Sequence, residues 1–206
     1  MATFPEQGPE PLILASTSAA RRALLANAGL TVETRPPGVD EAEVKASLVL
    51  DGAKPADLAR LLGELKAQAV SRACPGHVVI GGDQVLSFNN RVFDKPVSRA
   101  DALDQLTTLR GQRHELISSV AVYRDDERLW STVDRARLTM RPVSDATLEA
   151  YCTAMGERVT QTVGGYQLEG LGVHLFDRVE GDYFTVLGLP LLLLLGYLRQ
   201  YGALVE

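Results

Sequence analysis

Asp83 follows two glycines at the end of the apolar run Val78-Val79-Ile80, in the tetrapeptide Gly81-Gly82-Asp83-Gln84. Glycines beside a carboxylate let backbone and ligand approach closely, as a site needs if it holds a metal-bound phosphate or activates a water. Taken alone, the tetrapeptide is more often an ordinary strand end, so its meaning depends on its company. A second element lies upstream, where Pro11-Leu12-Ile13-Leu14-Ala15 reads as a strand and Ser16-Thr17-Ser18 leads into a helical run that Gly29 ends. Two hydroxyls, free backbone N–H groups and Arg21 then gather at a helix N-terminus, whose partial positive charge favours a phosphate. A simple N-cap at Ser18 is compatible with that reading.

Further candidates are spread along the chain. Val39-Asp40-Glu41 lies in a turn-rich stretch after Pro36-Pro37-Gly38, and adjacent carboxylates there would offer oxygen ligands to a hard cation such as Mg²⁺. Leu58, Leu61, Leu62, Leu65 and Ala69 recur at helical spacing, which puts Lys66 near the edge of an apolar stripe. The bland counterpart of such a lysine is a snorkelling surface residue. Lys95-Pro96 follows the hairpin-like Phe88-Asn89-Asn90-Arg91, and the proline keeps Lys95 out of a helix just ahead of the capping pattern Ser98-Arg99-Ala100-Asp101.

The order and separation of these segments resemble the Maf family of nucleoside triphosphate pyrophosphatases, named for an effect on septum formation. The resemblance runs through Ser16-x-Ser18-x-x-Arg21, Val39-Asp40-Glu41, Lys66-Ala67, Gly81-Gly82-Asp83-Gln84, Lys95-Pro96 and Leu109-x-Gly111-x-x-His114. It continues through Gly164-Gly165-Tyr166-x-x-Glu169-Gly170 and Gly181-Asp182-Tyr183-x-x-Val186-x-Gly188-Leu189-Pro190. What it implies is metal-dependent hydrolysis of a nucleoside triphosphate between the α and β phosphates, giving a monophosphate and pyrophosphate. It marks Asp83 as the proton acceptor. Beside it, the chemistry of a polyanion asks for charge neutralisation, which Arg21, Lys66, Lys95 and one divalent cation, Mg²⁺ or Mn²⁺, on Glu41 and Asp83 would supply. Ser16, Ser18, Ala20, Arg21, Gln84 and Glu169 are the implied substrate-binding positions.

Base preference follows from departures within the resemblance. Pyrimidine-type members place an arginine just before the motif arginine, a threonine after the motif aspartate, and a glutamine before the glycine that here is Gly170. Here the three positions are Ala20, Gln84 and Glu169. A carboxylate accepts two parallel hydrogen bonds from guanine N1–H and N2–H, whereas a uracil or thymine edge offers one donor between two acceptors. Gln84 and Glu169 also match the branch similar to the 7-methyl-GTP pyrophosphatases. Cationic bases are held by aromatic faces; other members of that branch carry a tryptophan where this chain has Ala20, which leaves Tyr166 or Tyr183 to serve. The alternatives are a dTTP/UTP pyrophosphatase and a non-catalytic nucleotide-binding regulator of septum formation.

The elements that must position these residues read as α/β. Strands at Leu12 to Ala15 and Val78 to Gly82 accompany helical runs, and Glu115 to Tyr123 with Leu129 to Met140 read as an antiparallel pair joined by Arg124 to Arg128. Ser144 is placed to cap a helix from Asp145 to Ala154. The expected fold is a mixed twisted sheet with flanking helices, and the resemblance implies two lobes around a deep cleft, similar to the inosine triphosphatase-like pyrophosphatases. The 206 residues, 46% hydrophobic, suffice for one domain over residues 11–206 behind a frayed tail, residues 1–10. A formal net charge of −5 argues against a nucleic-acid-coating protein. Cys74 and Cys152 lack metal or disulfide spacing, which fits buried thiols in a reducing cytoplasm. Leu191 to Leu195 is intensely apolar but far shorter than the roughly 20 residues of a membrane span, so it reads as part of a buried terminal helix. His114 is expected to make a structural hydrogen bond. The implied partners are a nucleoside triphosphate and, as is common among such proteins, a second copy of the chain, with no nucleic acid or membrane.

Overall fold

The computed structural model describes residues 6–8, 11–50 and 52–205. A seven-stranded mixed sheet forms its centre, in the order β3-β2-β4-β6-β7-β8, with β5 paired to β4. Strand β2 (Leu12–Ala15) runs parallel to β3 (Val32–Thr34) and to β4 (Val78–Phe88). The β2–β3 connection carries helix α1 (Ala19–Asn27), as a parallel crossover requires. Between β3 and β4 lie α2 (Glu41–Leu50) and α3 (Pro55–Ala73). The rest of the sheet is antiparallel: β5 (Arg91–Phe93), β6 (Arg113–Arg124), β7 (Glu127–Met140) and β8 (Phe176–Glu180).

Both hairpins owe their tightness to residues that tolerate positive φ. Asn89 and Asn90 (φ 51° and 61°) join β4 to β5, and Asp125 and Asp126 (φ 50° and 70°) join β6 to β7. Paired positive φ values suit the twist of adjacent strands. The β6–β7 ribbon therefore extends to Arg124 and restarts at Glu127, a longer pairing than the expected Arg124-to-Arg128 connection allows.

Side chains alternate along β4. Val79, Gly81, Asp83 and Val85 face α3, where Val79 packs with Ala67 and Val70, and Val85 packs with Leu58 and Leu62. Ile80, Gly82, Gln84 and Leu86 face the other way. There Ile80 joins a core with Leu25 of α1 and Leu194 and Leu198 of α7 (Leu191–Tyr201). Leu86 joins a separate core with Leu106 of α4 (Arg99–Leu109) and Leu148 of α5 (Asp145–Met155). Gly82 and Gln84 lie on the strip between these two cores.

Other expectations meet the structure unevenly. Ser144 caps α5 through the Thr147 N–H, and Ser98 caps α4 through that of Asp101. Cys74 and Cys152 are free and buried. Of the tail, residues 1–5, 9 and 10 lie outside the described residues. Glu6 and Gln7 form β1 (Glu6–Gln7), antiparallel to β9 (Leu204–Val205), with the Gln7 amide bonded both ways to the Thr31 backbone. Helix α7 buries Leu191, Leu194 and Leu198 but exposes Leu192 and Leu193, because one face of a helix meets the core. No helix among the described residues is long and apolar enough to cross a membrane.

Candidate active site

Along one edge of β4, strand β2 pairs with Val78 to Gly81 and β5 pairs with Leu86 to Phe88. Among the described residues, Gly82 to Val85 have no strand neighbour on that side. Asp83 and Gln84 therefore stand above and below a gap at the carboxyl end of a parallel strand, the place where open α/β sheets receive ligands.

On the Asp83 side, glycines bring α3 unusually close. A Cβ on Gly81 would lie 2.5 Å from the Gly63 carbonyl oxygen and 2.6 Å from the Ala67 nitrogen. This approach sets Lys66 Nζ 2.6 Å from Asp83 Oδ1 and 2.8 Å from Glu41 Oε1. Lys66 and Asp83 are buried. The second carboxylate oxygen, Asp83 Oδ2, is buried with no hydrogen-bond partner among the described residues. Ser119 Oγ steadies the strand here, donating to the Ala59 carbonyl at 2.6 Å and accepting from the Asp83 N–H at 3.1 Å.

Glu41 opens helix α2, and the carboxylate before it is spent locally: Asp40 Oδ1 accepts the N–H groups of Ala42 and Glu43, both at 3.1 Å. Asp40 is thus the N-cap, and Glu41 alone of the pair turns to the site. Burial tends to raise the Glu41 pKa, but the hydrogen bond from Lys66 and the charges of Lys66, Lys45 and Lys95 outweigh it and hold it below the ordinary value. Lys95, exposed at its loop, has its pKa lowered first by desolvation and then by Arg21, with Glu41 and Asp83 opposing. Its charge therefore belongs to the same cluster.

On the Gln84 side, Arg21 is buried and donates from Nε to the Gly188 carbonyl at 2.7 Å and from Nη1 to Ser16 Oγ at 3.4 Å. Burial lowers its pKa, against the charges of Asp83 and Glu41. Ser18 caps α1, its Oγ accepting the Arg21 N–H at 3.3 Å, while Ser16 Oγ accepts the Ser18 N–H at 3.1 Å. What remains for a phosphate is the two hydroxyl hydrogens and the N–H groups of Ala19 and Ala20, which a first helical turn leaves without intrahelical carbonyls.

Gln84 is engaged in a way its sequence position does not disclose. Its Nε2 sits 3.0 Å from Ser118 Oγ and from the carbonyls of Thr185 and Val186. Those carbonyls belong to α6 (Tyr183–Val186), whose Thr185 is fully buried and donates from Oγ1 to Asp134 Oδ2 at 2.7 Å. The amide NH₂ of Gln84 thus clamps this turn, and only its oxygen is left to meet a ligand. Glu169 stands elsewhere, exposed at a cavity of about 470 Å³ lined also by Val173, Phe176, Arg178, Val179 and Tyr183. The structure links it to the central cluster through α6, which carries Tyr183 on the cavity wall. Tyr166 takes no part: it is buried, and its hydroxyl meets His114 Nε2 at 2.7 Å. His114 makes the structural bond expected of it.

Sequence reasoning passed over Lys45, Ser118, Ser119, Asp134 and Thr185. Lys45 stands four residues after Glu41 and shares its helix face, a spacing that could have flagged it. It bonds Asp94 at 3.0 Å and feels Asp83 and Glu41. The others are strand and turn residues whose partners become neighbours only when β4, β6, β7 and α6 assemble.

The oxygen donors suit a hard cation, since Asp83 and Glu41 meet at Lys66 and Asp83 Oδ2 has no hydrogen-bond partner among the described residues. No group of three or more His, Cys, Asp or Glu that could hold a metal gathers among the described residues. Such an ion would complete its shell from phosphate oxygens and water, as Mg²⁺ commonly does.

A carboxylate pair, the cations Arg21, Lys66 and Lys95, and a helix N-terminus thus gather around a strand-end gap of an α/β protein, a charge pattern suited to a polyanion. More particularly, the chain belongs to the family described as Maf-like protein, which matches residues 11–201. Among curated relatives it is 50% identical over 197 residues to a nucleoside triphosphate pyrophosphatase of Rhodopseudomonas palustris, covering 96% of each chain. It is 52% identical over 194 residues to the protein of that name from Bradyrhizobium diazoefficiens, covering 94% of this chain and 95% of the other. A 7-methyl-GTP pyrophosphatase of Rhizobium meliloti is 47% identical over 193 residues, with 94% and 97% covered.

Proposed function

We propose that the protein is a nucleoside triphosphate pyrophosphatase that hydrolyses the α–β phosphate bond of 7-methyl-GTP or a related modified guanine nucleotide. The observation that carries the hydrolysis is the buried Asp83, with Oδ1 held by Lys66 and Oδ2 left without a partner. Lys66 keeps the carboxylate in one orientation, so Oδ2 is the atom that takes the proton of the attacking water. The water oxygen bonds to phosphorus as the bridging P–O bond breaks, and the departing pyrophosphate keeps the electron pair. Arg21 on the Gln84 side of the gap, and Lys95 with the charges around Glu41, offset the charge that builds on the phosphate oxygens. A divalent cation held by Glu41 and Asp83 would offset more of it. Family membership and near-full-length relatives of the same printed name support the activity.

The base preference rests on Glu169, whose carboxylate makes no hydrogen bond or ion pair among the described residues and borders a cavity large enough for a base. Two acceptor oxygens fit the N1–H and N2–H of guanine, and a negative charge suits a methylated, cationic ring. The test is pyrophosphate release from 7-methyl-GTP, GTP, dTTP, UTP, CTP and ITP, with Mg²⁺, Mn²⁺ or EDTA. Preference for 7-methyl-GTP, lost in EDTA, is expected. Preference for dTTP and UTP would overturn the base assignment, and no release from any substrate would overturn the activity.

A further inference from the structure

We propose that Tyr183 is the aromatic wall on which the substrate base stacks, and that this face gives the site its preference for a cationic purine. The inference rests on the guanine reading above and adds a residue to it. Tyr183 is 48% exposed although it is a large aromatic side chain, and its ring borders the same cavity as Glu169. The remaining walls include Val173, Phe176 and Val179, which are apolar. Of the charged residues on the cavity, Arg178 is paired with Glu180 at 3.1 Å and Asp177 lies 3.8 Å from Arg141, which leaves Glu169 as the unpaired charge. A largely apolar cavity with one exposed aromatic residue and one unpaired carboxylate suits a planar ring that carries positive charge and two N–H donors.

The turn that carries the ring is also held in place before any ligand arrives. Tyr183 is the first residue of α6; Asp182 caps that turn through the Phe184 N–H, and Thr185 anchors it to Asp134. Gln84 then ties the same turn to the residue beside Asp83. With a rise of about 1.5 Å per residue, Tyr183 and Thr185 belong to one helical turn, so the stacking face and the hydrolytic strand share a single rigid link. A ring carried on a turn fixed in advance has less freedom to lose when the base lands on it than one on a free loop.

The test compares Tyr183→Leu, Tyr183→Phe and Tyr183→Trp with the wild type, reading kcat and KM for 7-methyl-GTP and GTP, with thermal melting to confirm folding. Tyr183→Leu is expected to raise KM for 7-methyl-GTP about tenfold with kcat nearly kept, and to cut the 7-methyl-GTP/GTP ratio several-fold. Tyr183→Phe and Tyr183→Trp should retain both values, since they keep an aromatic face. An unchanged KM in Tyr183→Leu, or equal losses in Leu and Phe variants, would overturn the stacking role. A wild type indifferent to the methyl group would overturn the cationic-base part. If it still prefers GTP to UTP, the KM of Tyr183→Leu for GTP decides stacking on its own.

Discussion

Gly81→Ala is the sharpest perturbation of the site that leaves every functional side chain in place. The added Cβ would lie 2.5 Å from the Gly63 carbonyl and 2.6 Å from the Ala67 nitrogen, both backbone atoms of α3 that cannot swing aside. Ordinary contact begins near 3.4 Å, so α3 must retreat from β4 by roughly 0.9 Å. That retreat stretches the 2.6 Å bond from Lys66 to Asp83 beyond hydrogen-bonding range. Overpacking of this kind costs about 1–3 kcal/mol, or roughly 2–12 °C in Tm for a chain of this size. Misplacement by about 1 Å costs about 100-fold in turnover. Differential scanning fluorimetry and pyrophosphate release measure the two effects separately. Gly196→Ala is the control: its Cβ meets nothing within 4 Å inside α7, so it should stabilise by about 1 kcal/mol and leave activity alone. A folded Gly81→Ala enzyme with wild-type kcat would refute the claim that helix–strand contact sets the Lys66–Asp83 geometry.

Asp83→Asn should fold normally, because the amide oxygen still accepts from Lys66, yet lose about 100-fold or more in kcat; melting and steady-state assays check both. Thr185→Val removes the bond to Asp134 from a fully buried site, so a loss of about 2 kcal/mol is expected in urea unfolding, with KM rising more than kcat falls. His114 contributes a pH dependence near neutrality: burial pushes its pKa from 6.5 down to about 4, so the unfolded chain takes up a proton that the folded chain refuses. Its stabilising contribution is full above about pH 6.5, falls by about 2 kcal/mol between pH 7 and pH 5, and levels off below about pH 4. Urea titrations of wild type and His114→Gln at both pH values test it, and parallel pH slopes would contradict it.

How much of this was legible in the sequence differs from residue to residue. Ser18, Arg21, Lys66, Asp83 and Lys95 were legible because each sits at a local landmark: a helix start, an apolar stripe, a glycine pair, a proline. Asp40 and Glu41 were legible as a pair but not as a division of labour, since only the start of α2 shows which carboxylate becomes the cap. Gln84 was legible as a candidate site position, whereas its grip on Thr185 and Val186 spans about a hundred residues and exists only once α6 packs beside β4. The β6–β7 hairpin was underestimated because two consecutive aspartates at positive φ make a tighter turn than their acidity suggests. The choice between Tyr166 and Tyr183 needed burial, which periodicity does not supply at isolated aromatic positions.

The alternation of side chains at Asp83 and Gln84 has a consequence for descent. Neighbours along the backbone, the two residues answer to different surroundings: Asp83 to Lys66 and α3, Gln84 to Ser118 and α6. Substitutions that reshape one side of the sheet need not disturb the other. If Glu169 reads the base as proposed, a lineage would change its nucleobase through Glu169 and the walls of its cavity while the Lys66–Asp83 pair stays as it is, so that new substrates would arise by drift on one face.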